Sequence, residues 1–340
     1  MFNKLFSKGV LSALTICLAA PLFASEINVY THRHYATDKK LNEMFTKETG
    51  IKVKIVKGKS SQLLKRLEIE GEYSPADILV TVDAGRLQIA KTKGLLQSIS
   101  SDKLNNAIPS HLRDPDGMWY GLTKRARVIV YSKERVDPKE LSTYEDLANP
   151  KWKGKIAIRS SNNVYNQSLL ASLIAHNGEA KSEEWAKGVV ANLARKPKGN
   201  DKDQAKAIAA GIADIAVMNT YYIGRMANSK DLAEKEITDM IGVFFPNQDD
   251  RGTHVNISGV GVAKYSKNKE NAIKYIEFLA SKKAQTIYAQ ANYEYPVLEG
   301  VDSSTLVKSW GTFKEDSLPM NTLGELNSKA VKTFDKAGWR

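Results

Sequence analysis

Apolar residues fall into short runs, separated by stretches of helical period, and the two alternate regularly along the chain. Ile27-Asn28-Val29-Tyr30-Thr31 alternates apolar and polar positions and predicts a strand. Thr37 is placed to cap a helix carrying Lys40, Leu41, Met44 and Phe45, and Gly50 suits its end. Ile51 to Val56 repeats the period-two pattern, Leu63, Leu64 and Leu67 mark a helix after Ser60 or Ser61, and Asp77 to Val82 is a third strand. Leu87, Ile89 and Ala90 then lie on a short helix ending at Gly94. This β-α-β-α-β order implies an α/β fold with a mostly parallel sheet flanked by helices.

The middle of the chain departs from that rhythm. Trp119 to Tyr131 is a long extended run with arginines embedded in it, long enough to pass from one lobe to another. Asn149 to Gly154 turns into a strand over Lys155–Arg159, Ser160 to Asn163 form a loop, and a helix carries Tyr165, Leu169, Leu170, Leu173 and Ile174 to Asn177-Gly178. A helix around Trp185 to Leu193, a break at Pro197–Gly199 and a segment Gln204–Ala210 precede the apolar strand Ala213–Val217. A second crossing is expected at Ile241–Pro246, a strand at Ile257–Val262 and a helix over Asn271–Ala284.

The first residues follow another logic. Lys4 and Lys8 precede an apolar run from Val10 to Ala20, Pro21 breaks it, and Leu22-Phe23-Ala24-Ser25 offers small residues for cleavage. That is the pattern of a cleavable signal peptide over residues 1–25, and it predicts export to the periplasm. The only cysteine, Cys17, lies inside it, and the bulky Ile16 before it argues against a lipoprotein site. Beyond the signal there is no thiol for a disulfide or for a thiolate metal site. The net charge is +12, of which Lys4 and Lys8 carry two, leaving +10. Lys and Arg are interspersed with Asp and Glu, without a basic block interleaved with aromatics, so no nucleic-acid partner is expected. Gly-rich phosphate loops, His-Glu-x-x-His and Gly-x-Ser-x-Gly are absent, and nothing points to an enzyme.

Candidate chemistry comes from tyrosine. Tyr35, Tyr165 and the pair Tyr221/Tyr222 share one context, just after a strand and at the first turn of the next helix. In open α/β sheets that address is where ligands bind, and helix starts favour negative charge. Four phenols aimed at one cleft ask for a small, highly charged cation able to ionise groups whose pKa is normally about 10. Ferric iron fits best. Four tyrosinates around Fe(III) leave one excess negative charge, for which Arg125 and Arg225 are candidate partners. His34, beside Tyr35, is positioned to add an imidazole nitrogen; His32, His111, His176 and His254 read as surface or structural.

The residues Arg33-His34-Tyr35, Asp77 to Gly85, Trp119-Tyr120-Gly121-Leu122 with Arg125-Ala126-Arg127-Val128, Tyr165, and Asn219-Thr220-Tyr221-Tyr222 together resemble the periplasmic ferric-iron-binding proteins of ABC importers, the ferric-binding-protein and FutA type. The resemblance spans the chain beyond the signal. It implies a class II periplasmic-binding-protein fold of two lobes joined by a two-strand hinge. The expected division is 26–121 with 246–300 for the N-terminal lobe and 122–245 with 301–340 for the C-terminal lobe. It implies Fe(III) held by Tyr35, Tyr165, Tyr221 and Tyr222 with His34 as a fifth ligand, and Arg125 and Arg225 as charge partners behind them. It implies no obligatory synergistic anion, a monomer, and delivery to an inner-membrane ABC permease with its ATPase. The rival is a binding protein for a sugar or polyamine that uses the tyrosines as stacking platforms.

Overall fold

A computed structural model describes residues 25–340, so all but the last residue of the expected signal peptide, Cys17 included, lies outside the described residues. Strand β1 is Glu26–Thr31, followed by α1 Ala36–Thr49, β2 Lys52–Lys57, α2 Ser60–Glu70, β3 Ile78–Thr81, α3 Ala84–Thr92, β4 Leu96–Gln97, α4 Asp102–Ala107 and the long β5 Tyr120–Ser132. Next come β6 Ile156–Ala157, α5 Val164–Asn177, α6 Glu179–Ala191, α7 Asp201–Ala209, β7 Ile215–Asn219, α8 Thr220–Ala227, α9 Leu232–Met240 and β8 Ile241–Phe244. The last elements are β9 Val255–Ala263, α10 Lys269–Ala280, α11 Lys282–Asn292, β10 Tyr295–Pro296, α12 Thr305–Ser309, α13 Met320–Glu325 and α14 Asn327–Ala337. No described helix is long and apolar enough to cross a membrane.

The α/β class is as expected, but the sheets are mixed. Parallel pairing joins β2 to β1, β1 to β3, and β6 to β7. β5 and β9 join their neighbours antiparallel. Sequence periodicity reports the β-α-β units correctly and is blind to strands that arrive from the other half of the molecule. β5 is shared between the halves: Tyr120 to Ala126 pair with β9, whereas Arg127 to Tyr131 pair with β7. The expected second crossing at Ile241–Pro246 is displaced, because β8 pairs only with the far half of β5, from Ile129 to Ser132. The chain passes back later, where the Arg127 N–H donates to the His254 carbonyl at 3.0 Å and Val255 stands opposite Ala126.

Local differences have local causes. Tyr35, not Thr37, takes the N-cap position of α1, because the Asp38 carboxylate accepts the Tyr35 N–H at 3.1 Å and so closes the first turn. Gly50 ends α1 in the left-handed region at φ 75°, as predicted. The single helix expected over 271–284 is two, because the Ser281 hydroxyl caps a new helix by accepting the Ala284 N–H. β2 is an edge strand that meets solvent along much of its length, so its alternation covers little core.

The sheet around the crossing strands is packed close. A Cβ on Gly259 would lie 2.6 Å from Leu87 Cδ1 and 2.7 Å from the Tyr120 carbonyl oxygen. Gly259→Ala is therefore expected to lower unfolding free energy by about 1–3 kcal/mol, read as a reduced urea midpoint.

Candidate metal centre

Tyr35, Tyr221 and Tyr222 are placed by the ends of strands, and Tyr165 by the loop that leads from β6 into α5. β1 delivers Tyr35 to the start of α1. In α5 the Asn163 side chain accepts the N–H groups of Tyr165 and Asn166, fixing Tyr165 in the first turn. β7 ends at Asn219, whose N–H donates to Asp201 at 2.8 Å, and α8 begins at once with Thr220, Tyr221 and Tyr222. Asn219 occupies the N-cap without a capping bond; its side-chain oxygen instead accepts from Arg127 at 3.1 Å.

The four side chains converge. Tyr221 is central: its hydroxyl lies 3.3 Å from that of Tyr165, its ring stacks on Tyr222 at 4.3 Å, and the Tyr35 ring stands edge-on at 6.2 Å. They line one cleft of about 320 Å³ together with His34. His34 is exposed, its ring 5.1 Å from that of Tyr35. Its Nδ1 lies 3.3 Å from the His32 carbonyl, a contact that suits an Nδ1–H donor and leaves the Nε2 lone pair free. Among the described residues no group of three or more His, Cys, Asp or Glu converges for a metal, so a cation in the cleft would meet phenol oxygen.

Guanidinium groups surround the phenols. Arg225 and Arg33 lie 4.8 and 5.0 Å from the centre of the Tyr35 ring. Arg125, Arg127 and Arg159 lie 5.6, 5.8 and 5.7 Å from that of Tyr165. Sequence reasoning singled out Arg125 and Arg225 and missed the other three. The signal for Arg127 was available, since Arg125 and Arg127 are two apart on one strand and share a face. Their counter-charges are three carboxylates. Glu294 forms a two-pronged pair with Arg33 at 3.1 and 3.0 Å and faces Arg125 at 3.8 Å. Asp201 bridges Arg127 and Arg159, and Asp38 holds the other edge of Arg33. Five guanidiniums against three carboxylates leave two positive charges in excess; four tyrosinates around a trivalent ion would reduce that to one. Of the other histidines, His32 shares a hydrogen with Ser60 at 2.7 Å, His176 pairs with Asp316, and His254 is buried.

Burial governs the acidity of the phenols. It pushes Tyr221 well up, with Tyr165, Tyr35 and Tyr222 adding to the rise. Tyr35 rises for the same first reason, and Tyr222 is pushed up to about 12 by burial and then by Asp201. Burial would raise the Glu294 carboxyl too, but Arg33 and then Arg125 hold it below its usual range.

Residues 74–313 match the family described as bacterial extracellular solute-binding protein. The chain belongs to that family. Within it, the protein groups with the ferric-binding, FutA type. It is 54% identical over 315 residues to Iron uptake protein A1 of Synechocystis sp., across 93% of this chain and 88% of the relative. A FutA (IdiA) from Trichodesmium, solved in complex with iron and citrate ligands, superposes with a TM-score of 0.90 at 53% identity, across 93% of this chain and 100% of that one. The ferric binding protein from Campylobacter jejuni gives 0.89 at 47% identity, across 92% and 100%. These neighbours bear out the two-lobed solute-binding fold.

Two outcomes follow for this solute-binding protein. Above pH about 10 the unfolded chain sheds phenol protons that the folded metal-free protein keeps, so folding binds more protons and stability falls with rising pH. Denaturant midpoints recorded from pH 8 to 11.5 are expected to drop only beyond about pH 10. Glu294→Ala, which strips Arg33 of a buried partner, is expected to cost about 3–5 kcal/mol in the same measurement.

Proposed function

We propose that the protein is the periplasmic solute-binding component of an ABC iron importer, and that it captures Fe(III) as tyrosinate. Tyr35, Tyr165, Tyr221 and Tyr222 are the proposed ligands, with His34 Nε2 as a fifth. Arg125 and Arg225, joined by Arg33, Arg127 and Arg159, supply the positive field that favours ionised phenol. The reading is carried by one observation: four phenols meet in a cleft with an excess of guanidinium and, among the described residues, no group of His, Cys, Asp or Glu that could hold a metal. The relatives named for iron uptake and ferric binding support it. A polyamine would meet the same excess of positive charge, and the relatives named for iron uptake and ferric binding weigh against a sugar as well.

The lobe division we propose follows the expected 26–121 with 246–300 and 122–245 with 301–340, with its joints moved to Ala126–Arg127 and His254–Val255, where the sheet partners switch. Tyr35 then belongs to one lobe and the other three tyrosines to the second. Iron bridging them favours the closed state by its differential affinity. Reopening as a monomer on the inner-membrane permease, which is powered by its ATPase, would release the ion. The expectation of no obligatory synergistic anion rests on coordination, because four phenol oxygens and the His34 nitrogen would occupy five positions around the ion.

Ferric citrate added to the metal-free protein is expected to produce a visible tyrosinate-to-iron band. Tyr221→Phe and Tyr222→Phe are each expected to shift that band and to weaken binding by more than the about 10–100-fold that loss of a supporting hydrogen bond costs. A spectrum unchanged in the double variant would reject the ligand set. Because Tyr35, Tyr221 and Tyr222 hold their protons tightly, iron must expel them. The apparent affinity, measured in competition with citrate at several pH values, is therefore expected to rise with pH and fall on acidification, with about four protons released per iron, one from each ligating phenol.

A further inference from the structure

A second recess lies beside the iron cleft, behind Tyr35. It has a volume of about 260 Å³ and sits between β1–β2–β3 and helices α1, α10 and α11. Val29, Val80, Ile55, Leu279, Tyr275 and Tyr288 give it an aliphatic and aromatic interior. Two of the polar groups that reach it are matched: the Tyr275 hydroxyl donates to Asn42 at 2.5 Å, and Asp38 is paired with Arg33. At about 30 Å³ per water the recess has room for roughly nine waters, or for one fused aromatic ring system.

Its mouth is cationic. Lys39 and Lys57 both line the recess and both are exposed. Lys57 makes no ion pair among the described residues, and Lys39 reaches only Glu43, at 3.7 Å. An apolar hollow with two ammonium groups at its rim fits a flat apolar body that ends in one anionic group.

The recess also touches the ligand set. His34 and Tyr35 line both cavities. Behind them, the buried Arg33 guanidinium lies 4.9 Å from the Tyr288 ring on the recess side and 5.0 Å from the Tyr35 ring on the cleft side. Pressure on Tyr288 is thus transmitted through one rigid, doubly paired side chain to Tyr35.

We propose that this recess is a second ligand site, for a small aromatic carboxylate, with the ring against Tyr275 and Tyr288 and the carboxylate at Lys39 and Lys57, and that its occupancy is coupled to metal capture through Arg33 and Tyr35. The coupling rests on the iron reading; the binding does not.

The probe is 1-naphthoate, titrated by fluorescence and calorimetry into metal-free and iron-loaded protein. One saturable site is expected in the metal-free protein. Lys57→Glu is expected to weaken it about fivefold or more, and uncharged 1-naphthamide to bind weaker by a similar factor. Ile55→Trp, which fills the recess from its solvent side, is expected to abolish binding, with an unchanged thermal midpoint showing that both variants are folded. Binding is expected to differ between metal-free and iron-loaded protein, and naphthoate to change the apparent iron affinity by the same factor. Absence of saturation, wild-type affinity in either folded variant, or equal binding of the amide would overturn the site. Equal affinity with and without iron would overturn the coupling. The visible iron band judges the iron reading separately, since naphthoate binding to metal-free protein needs no metal.

Discussion

A phenol becomes a good ligand for a hard cation only after its proton leaves, and burial alone makes that departure harder. Everything around the four tyrosines bears on this opposition. Taking Tyr221 and its neighbours out of water keeps them neutral when no cation is present. Guanidinium groups on every side lower the cost of ionising them once one arrives. A bare pocket of phenols would bind nothing, and a pocket of carboxylates would stay ionised and hold many divalent ions. With iron proposed as the ligand, the positive excess would favour the ionised phenols, and only a highly charged cation would displace several of their protons at once.

That excess has to be anchored, because unpaired buried cations are costly. The anchors are the crossing strands and the elements beside them. Arg125 donates to Ser258 and to the Ile257 carbonyl on β9, and Arg33 reaches the same Ser258 at 2.8 Å. Arg127 is held by Asp201, Asn219 and Asn166, which belong to three different helix starts. The charges beside the phenols therefore also tie the strand ends together, so the proposed metal chemistry and the stability around the crossing strands would depend on one set of ion pairs.

Much of this was legible in the sequence. Short apolar runs followed by a polar turn and an amphipathic stretch gave the β-α units, and the repeated address of Tyr35, Tyr165 and Tyr221/Tyr222 at strand ends singled out the cleft. Three things were hidden, each for a physical reason. The partner of Arg33 is Glu294, 261 residues away, and no local pattern reports a pairing made by folding two distant segments onto one strand. In the sequence nothing sets Asp201 apart from any other acidic residue at a helix start, and only its full burial shows that it serves Arg127 and Arg159. The return crossing was expected too early because β8 is as apolar as a crossing strand, although it pairs only at the far end of β5.

β5 runs unbroken from one group of strand partners into the other, so Ala126 and Arg127 are consecutive residues of a single ribbon, not the two ends of a loop. Relative rotation of the halves would then be absorbed as added or relaxed twist in a hydrogen-bonded strand, with no segment melting and refolding in each cycle. Such a joint behaves as a torsion spring: its travel is short and its path repeatable. The vestibule it governs would present the same arrangement of oxygens every time it shuts.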